Sequence, residues 1–204
     1  MPLTPPAPRG PIHHRRIDCR GYRREDGLWD IEGHLTDVKS YPFANAWRGE
    51  IRPGEAIHDM WLRVTLDDEL TVIAVKAATD AGPFAICPAI TPAFAGLQGL
   101  RIGPGWRREV HKRLGGVQGC THLVELLGPL ATTAYQTIHV WRAKHQPTLE
   151  SDQPPRHLDS CHALARDGEV VRRHYPRWFS GAPGGDGAPL RPSAGSRPPP
   201  GSTR

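Results

Sequence analysis

The sequence predicts an α+β fold: a four-stranded antiparallel sheet, strands first, with helices packed afterwards on one of its faces. Three observations predict it. Apolar residues recur with period two over several early runs. A short acidic turn joins two of these runs. Beyond about residue 90 the period lengthens to that of a helix.

The clearest strand covers 28–38. Trp29, Ile31, Gly33 and Leu35 share one face, and Asp30, Glu32, His34 and Thr36 share the other. Such a segment is half-buried with one solvated side. Residues 16–24 alternate more weakly, with Ile17 and Cys19 in phase. Residues 60–66 alternate again, setting Met60, Leu62, Val64 and Leu66 against Trp61, Arg63 and Thr65. Asp67-Asp68-Glu69 then turns the chain into the run Leu70–Val75, completing a hairpin.

The helical part opens at Thr91-Pro92, an N-cap residue followed by proline at the first helical position. A second helix begins at Gly103-Pro104. Trp106, Val110 and Leu114 lie on one side of it, and Gly115-Gly116 stops it. The longest helix starts near Cys120. Its stripe includes Leu123, Leu127, Leu130, Ala134 and Ile138, the spacing of a helix lying on a sheet. Pro129 cannot donate to the Glu125 carbonyl, which predicts a kink or break at Gly128-Pro129.

Composition divides the chain further. Of its 44 glycines and prolines, 18 fall in residues 1–11 and 181–204. These stretches bury almost nothing and are expected to be tails. Residues 12–145 form the core domain. Residues 146–180 form an extension whose late aromatics, Tyr175, Trp178 and Phe179, predict docking on that core. The tails carry +3 of the formal +5 charge. No Lys/Arg stripe or stacking-aromatic motif remains in the core, so specific nucleic-acid binding is not expected. No apolar run reaches the roughly 18 residues of a membrane helix, and the N-terminus lacks the apolar stretch of a secretory signal. A cytoplasmic location is expected, where thiols stay reduced.

The four cysteines carry the functional reading. Cys19 alternates with core residues and is expected to pack. Cys87 lies between the last strand and the first helix. Cys120 opens the long helix, whose unpaired N–H groups favour a thiolate, with His122 two residues on. His58-Asp59 precedes the third main strand. The hairpin brings His58 and Cys87 to one end of the sheet, and the long helix can bring Cys120 there. His58, Cys87, Cys120 and His122 are therefore the expected metal ligands, with Asp59, Asp80 and Cys161 as alternates. The donor set suits zinc. An alternative is a cysteine-nucleophile enzyme, with Cys120 attacking, His58 as base and Asp59 or Asp80 orienting it. A third is a non-catalytic module that recruits a protein partner through the Trp106-Arg107-Arg108 region or Arg172-Arg173-His174.

The stretches DGLWDIEGHLTDVKSY, GEAIHDMWLRVTLDD, DAGPFAICPAI and GGVQGCTHLVELL resemble a bacterial family of unknown function, DUF2889, across most of residues 12–180. More distantly, the order of elements resembles the NifU/IscU-type iron–sulfur scaffolds. In those proteins three cysteines stand before a strand, after a hairpin and at the start of a later helix. By that resemblance Cys87 and Cys120 match the second and third, and His58-Asp59 stands where the family has the first. The family's histidine before the third cysteine is Gly119 here, with His122 close by. A mixed His/Cys set suits zinc or an asymmetrically ligated [2Fe–2S] cluster better than an all-thiolate cluster.

Overall fold

The structure is a computed structural model that describes residues 3–145, 153–155 and 157–181. The tail expected from 181 onward lies, after its first residue, outside the described residues, as does the polar stretch 146–152. The chain divides into two compact units, Met1–Pro147 and Thr148–Arg204. Among the described residues no helix is long and apolar enough to cross a membrane.

Four strands of the first unit build an antiparallel sheet: β1 (His13–Arg23), β2 (Trp29–Lys39), β5 (Ala56–Leu66) and β6 (Val72–Ala81), in the order β1-β2-β5-β6. Strands β1, β5 and β6 are longer than the runs that announce them, because ladder hydrogen bonds carry the pairing past the last apolar residue, whereas β2 keeps the expected length. A small hairpin, β3 (Phe43–Asn45) and β4 (Gly49–Ile51), interrupts the sequence between β2 and β5. It is not legible in the sequence: three residues a side are too few for an alternation. The acidic turn forms as expected. The Asp67 carboxylate accepts from the Glu69 and Thr71 amides, at 2.9 and 2.8 Å, and Leu70 adopts the left-handed conformation.

The helical half departs from expectation in two places. The segment expected to open at Thr91-Pro92 is a run of 3₁₀ turns that begins earlier, at Cys87, and ends at Leu97. Pro88 and Pro92 remove two of its donors, so tight short-range turns replace α-helical bonding. Helix α1 spans Trp106–Leu114, and α2 runs unbroken from Thr121 to His145 with Pro129 inside it. Interior proline costs a helix about 3 kcal/mol. Leu126, Leu127 and Leu130 are buried on both sides of Pro129, and their burial outweighs that cost.

The core lies between one face of the sheet and the helices. Trp29, Ile31, Leu35, Met60, Leu62 and Val64 meet Leu123, Leu127, Leu130 and Ala134 of α2, with Phe94, Leu97 and Trp106 completing the cluster. Helix α2 lies close to the strands because glycines make room for it. A Cβ at Gly33 would stand 3.2 Å from the Leu130 side chain, and one at Gly21 would overlap Thr137. Cys19 packs against this core as expected; burial pushes its thiol pKa up, tempered by a hydrogen bond with Thr133. The opposite face of the sheet carries Asp30, Glu32, His34, Trp61 and Arg63, none of them buried.

The second unit has a short helix, α3 (Glu169–His174), flanked by 3₁₀ turns at His162–Leu164 and Pro176–Trp178. Cys161 is an exposed residue of this unit.

Candidate metal centre

The site forms where one sheet end meets the start of α2. Strand register sets its first row: Arg15 of β1 stands opposite Asp37 of β2, which stands opposite His58 of β5. All three lie on the core-facing side. Asp37 is in phase with Trp29, Ile31 and Leu35, and His58 with Met60 and Leu62.

Asp37 is only 1% exposed and every acceptor position on it is used. Arg15 grips it with two parallel bonds, Nε to Oδ1 and Nη2 to Oδ2, both 2.9 Å. His13 Nε2 donates to Oδ1 at 2.8 Å, and His58 Nδ1 donates to Oδ2 at 3.0 Å. A carboxylate offers about four lone-pair sites, and four donors fill them. Burial alone would push the Asp37 carboxyl up. The Arg15 and His13 hydrogen bonds and the Arg15 charge outweigh it and hold the group at about 2, below the ordinary 3.8. Arg15 also reaches Glu125 of α2, tying the row to the helix.

An ionised Asp37 can only accept, so the proton of the bond to His58 belongs to Nδ1. The His58 Nε2 atom is then left with its lone pair. The His58 ring stacks on His122 of α2, with centroids 3.7 Å apart and planes at 30°. One ligand atom from each of Asp37, His58 and His122 falls within 4.8 Å of the others. His122 Nδ1 lies 3.9 Å from the Cys120 Sγ. Desolvation first, and then neighbouring positive charge (His122 on His58, Arg15 on His122), depress both imidazoles below the ordinary 6.5. Asp37 opposes the shift in both. Both rings therefore favour the neutral form that binds metal.

All four expected ligands, His58, Cys87, Cys120 and His122, line one cavity of about 540 Å³. His122 contacts both His58, by ring stacking, and Cys120, through the 3.9 Å Nδ1–Sγ approach. Cys87 sits on the cavity wall at the start of the 3₁₀ segment, packed so closely on Gly82 that a Cβ there would come within 2.9 Å of its own. The alternates of the first unit, Asp59 and Asp80, do not join them. Asp59 cannot orient His58, because adjacent strand residues point to opposite faces; it accepts instead from His34 Nε2 at 2.7 Å. His34 in turn stacks on Trp61, with centroids 3.7 Å apart. Asp80 lines a separate hollow with Trp47 and Arg48. Cys161 belongs to the second unit. In the cysteine-nucleophile reading, the base in contact with Cys120 is His122 rather than His58.

Asp37, Arg15 and His13 were not among the expected site residues. The signal for Asp37 is present in the sequence: extending the Trp29–Leu35 alternation by one step puts a carboxylate on the buried face. A buried charge needs a partner. The partner lies on another strand, and only the register reveals it.

A family model described as a protein of unknown function (DUF2889) matches residues 13–136. The chain belongs to the DUF2889 family. The match contains every residue of the Arg15–Asp37–His58 row, together with Cys87, Cys120 and His122. No curated protein and no solved structure matches this DUF2889 chain.

Proposed function

We propose that the protein is a metal-binding accessory protein of the cytoplasm that holds a zinc-type divalent ion with His58, His122 and Cys120. The observation that carries this reading is the saturated Asp37. Its four donors leave it no lone pair for a metal, but its bond to His58 Nδ1 turns the imidazole so that Nε2 is the free ligand atom. A carboxylate behind a histidine is the usual outer-shell support of a metal ligand. Two imidazoles and a thiol are borderline-soft donors that suit zinc. Three protein ligands leave a fourth position for water or another ligand, facing the cavity that Cys87 also lines. All four cysteines are free, as a reducing compartment would keep them.

Cobalt substitution tests the ligand set. Full-length protein loaded with Co²⁺ is expected to show tetrahedral ligand-field bands and a thiolate-to-cobalt charge-transfer band. The charge-transfer band should vanish in Cys120→Ser while the protein stays folded. An octahedral spectrum without thiolate character would overturn the assignment. A [2Fe–2S] cluster would need Cys87 as a fourth ligand; iron with acid-labile sulfide in anaerobically purified protein would replace zinc by that cofactor.

A further inference from the structure

The cavity is far larger than a metal ion requires. A bound ion with one or two waters, at about 30 Å³ per water, fills a minor part of about 540 Å³. The whole space falls in the range of small-molecule pockets. Beyond the imidazoles, the thiols and Thr121 its wall is apolar, with Met60, Pro83, Phe84, Ile86, Ile90 and Val117 supplying most of it. Among the described residues no lysine, arginine, aspartate or glutamate lines it. Phosphate-bearing ligands would find no cationic side chain there. At the mouth, Ile86 is 76% exposed and Val117 91%, apolar surface that only an occupant would cover.

We infer that this cavity binds a small organic molecule with an apolar body and one anionic, metal-ligating head, the head taking the open position on the ion. The inference rests on the metal reading above. The ion supplies the positive charge that the wall lacks. The apolar wall supplies selectivity for the body through area removed from water.

Straight-chain hydroxamic acids, which carry a constant metal-binding head on tails of increasing length, test it. Binding is measured by calorimetry on zinc-loaded and zinc-free full-length protein. Affinity for the zinc form is expected to rise about two- to fourfold per added methylene from acetohydroxamic to octanohydroxamic acid. Zinc-free protein should bind each acid at least tenfold more weakly. Ile86→Asn with Val117→Asn changes two exposed positions, so the fold and zinc content should persist while the dependence on tail length flattens. Zinc uptake with equal affinity along the series would overturn this inference alone. Tail-dependent binding that ignores zinc would overturn the role of the head. Failure to take up zinc would overturn both this inference and the metal reading.

Discussion

The two ends of the seam between α2 and the sheet use similar residues to opposite effect. At the far end, Trp29 and Trp141 meet edge to face with centroids 5.3 Å apart, and the Arg23 guanidinium lies within 4.5 and 5.3 Å of their ring centres. Trp29 Nε1 donates to Asp68 Oδ1 at 2.8 Å, and Arg142 donates to the Asp68 carbonyl at 2.8 Å. Trp29 is 1% exposed, and its one polar atom is paired. At the near end Arg15, Asp37 and His58 also form a paired row. That row ends at His58, whose Nδ1 is committed to Asp37 and which lines a cavity. The same helix and strands thus close one end with paired groups and leave a cavity at the other. Open space beside the paired row, rather than polarity itself, separates the site from the scaffold.

Substitutions at the two ends should separate stability from binding. The largest stability loss is expected from Trp29→Ala, about 3–5 kcal/mol by urea unfolding, because a large buried side chain leaves a cavity. Zinc stoichiometry in the folded fraction should not change. At the other end, Asp37→Asn keeps the shape and removes the charge that Arg15 and His58 share. The expected cost is about 2–3 kcal/mol, below the usual range for a broken buried pair because Arg15 is partly solvated. Zinc affinity should fall about 10- to 100-fold in the same variant, because His58 loses its orienting partner. Equal zinc affinity in Asp37→Asn and wild type would break the distinction between the two ends.

The near end should also give the metal-free protein its pH dependence. The folded pKa of Asp37, about 2, lies below the ordinary 3.8. Its stabilising effect, about 2 kcal/mol, is complete above pH 3.8 and is lost as pH falls towards 2. The imidazoles of His58 and His122 are depressed below 6.5, so the unfolded chain binds their protons first. Stability should therefore begin to fall as pH drops below about 6.5, and zinc affinity should fall in the same direction. His58→Ala should remove part of the first loss and leave the second, as read by thermal unfolding across pH. The smallest effect is expected from Asp59→Asn. Its half-buried, partly solvated pair with His34 is worth about 1 kcal/mol or less, and zinc binding should be unaltered.

Period-two alternation made the strands legible because one face of the sheet is dry and the other wet. The clear alternation of the third strand begins only at Met60, so the position of His58 inside β5 rather than before it was not legible; the loop positions of Cys87 and Cys120 were readable from the glycines and prolines around them. The β3–β4 hairpin was too short for any pattern. The 3₁₀ character of Cys87–Leu97 depends on two prolines acting together with packing against β6. The sequence also marks Asp37 as a misplaced charge, but not its partners: Arg15 is 22 residues away and His58 21, and only cross-strand register joins them. Reading Asp59 as a carboxylate that orients His58 rests on its proximity in sequence. In a strand, the neighbour in sequence is the residue that points away.

That contrast between adjacent residues gives the most direct test. Zinc content per chain is measured by elemental mass spectrometry on tag-free, full-length wild type, His58→Ala and Asp59→Asn after dialysis against a known free zinc concentration. About one zinc per chain is expected in wild type and Asp59→Asn, with near-complete loss in His58→Ala. No zinc in wild type, or equal zinc in both variants, would contradict the assignment of this end of the sheet as a metal centre.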